Sequence, residues 1–165
     1  MSSFQHQRHK TPTKLSRPRE LIVALPQLQS QVNLARIVRA AGCCGVSRIV
    51  ACGRGKIDPK IARDAIEIVD VQRRGSLPPV LRELKAEGYR LVGLEQTSNS
   101  HNLHEFELPV RMALVIGHER QGLKQEELDL LDDVIEIPVY GMPFSYNVAT
   151  ATAMALYEYC RQHPS

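Results

Sequence analysis

Three short stretches concentrate the residues able to do chemistry. The first holds Asn33 and Arg39, six positions apart and so expected roughly on one side of a helix. The second is Gly117-His118-Glu119-Arg120-Gln121-Gly122, and the third is Gly141-Met142-Pro143-Phe144-Ser145-Tyr146-Asn147. Together they offer glycines, apolar and amphipathic side chains and uncharged hydrogen-bonders, with Arg39 and Glu119 as charged members. Such a set suits an amphipathic small molecule gripped largely by main chain, and glycines at 117, 122 and 141 allow close backbone approach. Gln96 and Thr97 add polar atoms. G-x-G-x-x-G behind the first strand, G-x-x-x-x-G-K-[ST] and G-x-S-x-G are all missing, which removes most support for dinucleotide, P-loop and serine-hydrolase chemistry. By residue type alone, Arg39 and Glu119 also fit a surface ion pair, Asn147 a helix N-cap, and Ser145 and His118 ordinary loop positions.

The elements between these stretches explain how they could meet. LIVAL (21–25) and RIVAC (48–52) are short apolar runs that fit strands covered on both faces. Between them Val32, Leu34, Ile37, Val38 and Ala41 recur at helical spacing, predicting a helix over 31–43 that stops at Gly42 and Gly45. Asp58 and Pro59 open a short helix, and IVDV (68–71) reads as a brief strand. A helix is predicted from Leu77 to Glu87, a strand over 89–95, a polar loop over 96–108 and a buried strand over 110–117. KQEELDLLDD (124–133) reads as a helix, VIEIPV (134–139) as the last strand, and 147–162 as the last helix. Alternation of buried strands with helices predicts an α/β domain with a single, mostly parallel sheet flanked by helices. Ligands in such sheets lie beyond the carboxyl ends of the strands, where all three stretches fall.

Composition bounds the rest. The 165 residues, 43% hydrophobic and 24% charged, suit one domain. No segment resembles a signal peptide or a membrane span, so a cytoplasmic protein without membrane attachment is expected. The cysteines at 43, 44, 52 and 160 form no C-x-x-C pair, which argues against structural metal or disulfides and predicts buried free thiols. Net charge is +3 with a pI near 8.7, yet Arg8, Lys10, Lys14, Arg17 and Arg19 all precede the first acid, Glu20. Residues 1–19 therefore read as a flexible basic arm suited to a polyanion, and residues 20–165 as the folded domain. Arg73 and Arg74 are expected to assist the arm.

Three ordered motifs then resemble one family. N-L-A-R-I-V-R-A-A with Asn33 and Arg39, A-L-V-I-G-H-E-R-Q-G-L (113–123) and I-E-I-P-V-Y-G-M-P-F-S-Y-N-V (135–148) are similar to the motifs of SpoU/TrmH RNA methyltransferases of the SPOUT superfamily. The resemblance covers about residues 20–162. It implies a C-terminal trefoil knot, S-adenosylmethionine bound in the bend of that knot, a homodimer packed through the knot, and methyl transfer to a ribose 2′-hydroxyl of RNA. The segment 88–100 looks most like the tRNA-guanosine branch, which acts on the D-loop; ribosomal RNA is the competing substrate.

By that resemblance Arg39, Asn33, Glu119, Ser145 and Asn147 are the candidate catalytic group, and Leu94, Gly117, Ile137, Met142 and Tyr146 the cofactor contacts. The arm residues and Arg39 are the candidate RNA contacts. The family assigns proton removal to Arg39, but a guanidinium keeps its charge at ordinary pH, so binding the adjoining phosphate is the role its chemistry favours. Ala35, His118 and Tyr146 depart from the residues common at those places; none is a polar group the chemistry needs. A flavodoxin-like binder would require a phosphate-cradling loop that is missing, whereas a noncatalytic RNA-binding module would keep the arm and the fold without cofactor affinity.

Overall fold

Uninterrupted apolar pentapeptides can only be buried from both sides, and the sheet is built around two of them. In the computed structural model, which describes residues 3–165, the chain runs β1 (Leu21–Leu25), α1 (Gln31–Cys43), β2 (Arg48–Cys52), α2 (Pro59–Ala62), α3 (Ala65–Ile68), β3 (Asp70–Arg74) and α4 (Leu77–Ala86). It continues through β4 (Arg90–Leu94), β5 (His101–Asn102), β6 (Met112–Ile116), α5 (Gln125–Leu128), β7 (Asp133–Glu136) and α6 (Val148–Gln162). The strand order is β3-β2-β1-β6-β4-β7-β5, and every pairing is parallel.

Side chains alternate across each strand and divide the core in two. Leu21, Val23 and Leu25 of β1 join Met112, Leu114 and Ile116 of β6 beneath α1 and α6, where Ile37, Val38, Leu156 and Tyr159 close over them. Ile22, Ala24, Ala113 and Val115 face the other way, against Leu77, Leu81 and Leu84 of α4. The chain winds outward from β1 to β3 and then crosses back to β4, so the winding reverses beside β1 and β6. Because all strands run one way, the segments 26–30, 53–57, 95–97, 117–122 and 137–147 all emerge at one edge. That places the three chemical stretches side by side at the reversal, the usual ligand position in open parallel sheets.

Several elements differ from the sequence expectation, each for a local reason. The helix expected over 124–133 is only α5, because Asp132 is drawn into the sheet: its N–H donates to the Leu91 carbonyl at 2.9 Å and its carboxylate accepts from the Leu91 N–H at 2.8 Å. The strand expected over 134–139 ends at Glu136. The strand expected at 68–71 begins at Asp70, since the residues before it form α2 and α3, broken at Arg63 with φ 56°. β5 lies within the polar loop. Of the cysteines expected to be buried, only Cys52 is; Cys43 is exposed, and Cys44 and Cys160 are half-buried.

The arm also docks earlier than expected. Arg19 donates from Nε to the Cys44 carbonyl at 2.8 Å and from Nη1 to the His163 carbonyl at 2.6 Å, and its guanidinium lies 5.5 Å from the Tyr159 ring centre. Leu15 is half-buried beside Gly45. Arg19 is thereby a structural clasp, and the exposed basic part of the arm is Arg8, Lys10, Lys14 and Arg17. Among the described residues no helix is long and apolar enough to cross a membrane.

Candidate active site

Ser30 begins α1 by accepting the Asn33 N–H on its hydroxyl at 3.3 Å, a cap that leaves the preceding N–H groups facing outward. Glu119, on the loop after β6, takes them: its carboxylate accepts from the Gln29 and Ser30 N–H groups at 2.9 and 2.7 Å and from Asn33 Nδ2 at 3.3 Å. Asn33 Oδ1 accepts from Asn147 Nδ2 at 3.1 Å. Asn147 in turn caps α6, its Oδ1 accepting from the Ala149 and Thr150 N–H groups at 2.8 and 3.2 Å. One hydrogen-bonded chain thus ties the starts of both helices to the 117–122 loop. Burial alone would raise the Glu119 carboxyl, but the donors from Gln29, Ser30, its own backbone and Asn33 outweigh it and hold it below the usual carboxylate range.

The loop that presents Glu119 is folded tightly on itself. His118 and Gly122 exchange backbone hydrogen bonds at 3.2 and 2.9 Å. His118 Nδ1 accepts from the Arg120 and Gln121 N–H groups at 3.1 and 3.3 Å, so the ring acts as a loop brace. Gly117 is required by this closure, since a Cβ there would lie 2.7 Å from the Gly122 carbonyl carbon and 2.8 Å from the Leu123 nitrogen. Glu95, which the sequence reading passed over, joins this loop to β4 by accepting from the Leu123 N–H at 2.9 Å and the Gln96 N–H at 3.1 Å. Its signal was available: a lone carboxylate at the carboxyl end of the apolar run LVGL.

Beside this network lies a cleft of about 240 Å³. Leu94, Ile116, Ile137, Val139 and Tyr146 supply its apolar walls, Gly117 lends main chain, and Glu119, Gln96 and Ser145 stand at its polar side. Four of the five expected cofactor contacts, Leu94, Gly117, Ile137 and Tyr146, therefore line one space, together with Ser145 and Glu119. Met142 does not line it and is 75% exposed. Gln96 Nε2 donates to the Phe144 carbonyl at 3.1 Å and holds the 137–147 segment over the cleft.

Arg39 is not drawn into the network. Six residues along a helix turn by about 600° and so leave two side chains about 120° apart, and Arg39 does not share the face of Asn33: Asn33 is buried and Arg39 exposed. The ion pair between Arg39 and Glu119 is likewise not formed among the described residues, because backbone donors occupy that carboxylate.

The sequence profile of the SpoU rRNA Methylase family matches residues 20–157. The chain is 32% identical over 150 residues to the tRNA (guanosine(18)-2'-O)-methyltransferase of Aquifex aeolicus (strain VF5), covering 88% of this chain and 71% of that protein. It is 30% identical to the Mus musculus tRNA (guanosine(18)-2'-O)-methyltransferase TARBP1, over 96% of this chain but only 10% of that much longer protein. In three dimensions it superposes on the A. aeolicus TrmH/SpoU tRNA modifying enzyme with a TM-score of 0.84 at 30% identity, covering 90% of this chain and 77% of that one. Against the SpoU methyltransferase AviRb from Streptomyces viridochromogenes, solved with the cofactor AdoMet, the TM-score is 0.79 at 26% identity, covering 90% and 62%. Matched motifs, sheet and profile agree, and the chain belongs to the SpoU rRNA methylase family.

Proposed function

We propose that this chain transfers a methyl group from S-adenosylmethionine to a ribose 2′-hydroxyl of RNA, and that its substrate is a D-loop guanosine of tRNA. The observation that carries the proposal is the position of the Asn33–Glu119–Asn147 network at the rim of an apolar-walled cleft that also holds Ser145. The names of the Aquifex and mouse relatives support tRNA guanosine as the target, and the AdoMet complex of AviRb supports the cofactor.

The residues present fit that cofactor. Apolar walls suit an adenine ring and methylene groups, and the polar side suits hydroxyl, amino and carboxylate groups. When bound, S-adenosylmethionine supplies a sulfonium-activated methyl group. The chain's own work is alignment and charge. Leu94, Ile116, Ile137 and Tyr146 exclude water from the cleft, while Ser145 and Asn147 orient the incoming ribose. Glu119 stays ionised and its oxygens are spent on backbone donors, so it positions the start of α1 and Asn33 instead of removing a proton. Arg39, exposed and permanently charged, binds the neighbouring phosphate and favours loss of the hydroxyl proton to solvent.

The remaining parts of this reading have separate supports. Trefoil threading of residues 137–147 is consistent with the tie between Gln96 and the Phe144 carbonyl. A homodimer is supported by the apolar face that Tyr140, Met154 and Tyr157 leave exposed beside Ala40, Cys43 and Ala153, around a groove of about 620 Å³. Arg8, Lys10, Lys14 and Arg17 extend the RNA contact along the arm.

The test is direct: the purified protein is incubated with methyl-labelled S-adenosylmethionine and a tRNA transcript, and the nucleosides are resolved. Labelled 2′-O-methylguanosine from the D-loop is the expected product, and Arg39→Lys should bind the cofactor yet lose transfer. Label in ribosomal RNA alone moves the substrate assignment. No calorimetric binding of S-adenosylmethionine leaves a noncatalytic RNA-binding module.

A further inference from the structure

The two edges of the sheet treat their basic residues differently. Where the strands begin, Arg48, Arg90 and Arg111 are each neutralised, by Glu87 at 3.2 Å, Asp133 at 2.6 Å and Glu20 at 3.1 Å. Lys85 is paired with Asp132 there as well, at 3.3 Å. Where the strands end, Arg54, Lys56, Arg73 and Arg120 form no ion pair among the described residues. The nearby carboxylates of Asp58, Glu95, Glu119 and Glu127 accept backbone N–H groups, from Lys60, from Leu123, from Gln29 and Ser30 and from Lys124, and among the described residues none of them is paired with these four cations. Of these eight basic residues, the four without an ion pair all lie at the edge that carries the candidate active site. Arg74, expected to share in RNA contact, is withdrawn from that set by Glu83, whose other oxygen accepts from Nη2 at 2.7 Å.

The centre of this charge is the loop Gly53-Arg54-Gly55-Lys56, which follows β2. It is fastened on both sides. The Gly53 N–H donates to the Arg74 carbonyl at 2.8 Å, and the Arg73 guanidinium donates to the Gly55 carbonyl. Gly55, at φ 133°, lies so close to Gln31 that a Cβ would collide with that side chain. Gln31 follows directly on Ser30, whose N–H is held by Glu119. The loop therefore adjoins the start of α1, on the side away from the cleft, with Arg54 and Lys56 exposed.

We infer that the 53–56 loop is a phosphate-binding track for RNA, over which the strand passes as it leaves the cleft across the start of α1. The inference rests on the RNA methyl-transfer reading above and adds to it the route taken by the substrate. Arg54 and Lys56 contact backbone phosphates, and Arg73 holds the loop in place. Contacts of this kind fix the substrate's register and carry no base sequence.

Fluorescence anisotropy with an end-labelled tRNA transcript, titrated from about 50 to about 300 mM KCl, tests this. Arg54→Ala/Lys56→Ala should bind roughly tenfold more weakly near 100 mM salt, with the slope of log K against log salt reduced by about 1.4 to 1.8 for the two lost charges. Its KM for tRNA should rise by the same factor, while kcat and calorimetric affinity for S-adenosylmethionine stay at wild-type values. Lys85→Ala/Arg90→Ala, the same charge change at the opposite edge, should stay within about twofold of wild type. Unchanged affinity and slope in Arg54→Ala/Lys56→Ala, with the wild type methylating tRNA, overturns the track and leaves the methyl-transfer reading standing. A wild type that binds no RNA at any salt overturns both.

Discussion

Replacing Glu119 by glutamine isolates what its carboxylate contributes. The side chain keeps its size, but an amide offers one acceptor oxygen where two now serve Gln29, Ser30 and Asn33, at distances of 2.7 to 3.3 Å. The amide NH₂ must then face a backbone N–H, losing at least one charge-assisted hydrogen bond and leaving a donor without an acceptor. Each such bond is worth about 1.5–3 kcal/mol. With 16% of the side chain exposed, water makes good part of the loss, and the net cost should be about 2 kcal/mol. In a chain of this length that lowers Tm by roughly 4–8 °C. The sign of the pH dependence follows from the depressed carboxyl. Its stabilisation is present above the unfolded-state value of about 4.3 and is lost as pH falls through the lower folded value. Calorimetric melts of both proteins should therefore differ at pH 7 and converge as the medium is acidified below about pH 4. Equal melting at neutral pH, or a gap that persists undiminished into acid, would refute the assignment of this carboxylate as the hub of the network.

Asn147→Asp should keep the α6 cap and near-native melting while losing the donation to Asn33, so that methyl transfer falls far more than stability; Asn147→Ala should also cost about 1 kcal/mol in denaturant titrations. Gly117→Ala should open the 117–122 loop and abolish calorimetric binding of S-adenosylmethionine, because the added carbon meets backbone atoms that cannot yield. Arg19→Ala should destabilise by about 2 kcal/mol through the two lost carbonyl contacts. It should leave RNA affinity nearly unchanged, in contrast to removal of the exposed basic residues before it. Tyr157→Glu should shift sedimentation to a monomer if its exposed face joins two copies.

Much of the fold was legible because its signals are local. The runs LIVAL and RIVAC and the helical spacing from Val32 to Ala41 give β1, β2 and α1 with the predicted bounds. The early end of α5 was hidden, since it depends on Asp132 finding Leu91, 41 residues away in sequence. The same division holds at the site. The motif resemblance points to Asn33, Glu119 and Asn147, but not to what Glu119 bonds, because backbone donors carry no sequence label. The six-residue spacing misled for Arg39, whose direction follows from helical geometry. Arg19 looked like one more cation of the arm until its carbonyl partners near residues 44 and 163 were brought to it by the fold.

Those partners lie far apart along the chain, 144 residues separating Arg19 from His163. One guanidinium consequently sews the segment just before β1 to the residue just after α6, and neither can peel away without releasing the other. Hydrogen exchange in the final turn of α6 should accordingly be slow for a helix end, and should quicken when the first nineteen residues are clipped.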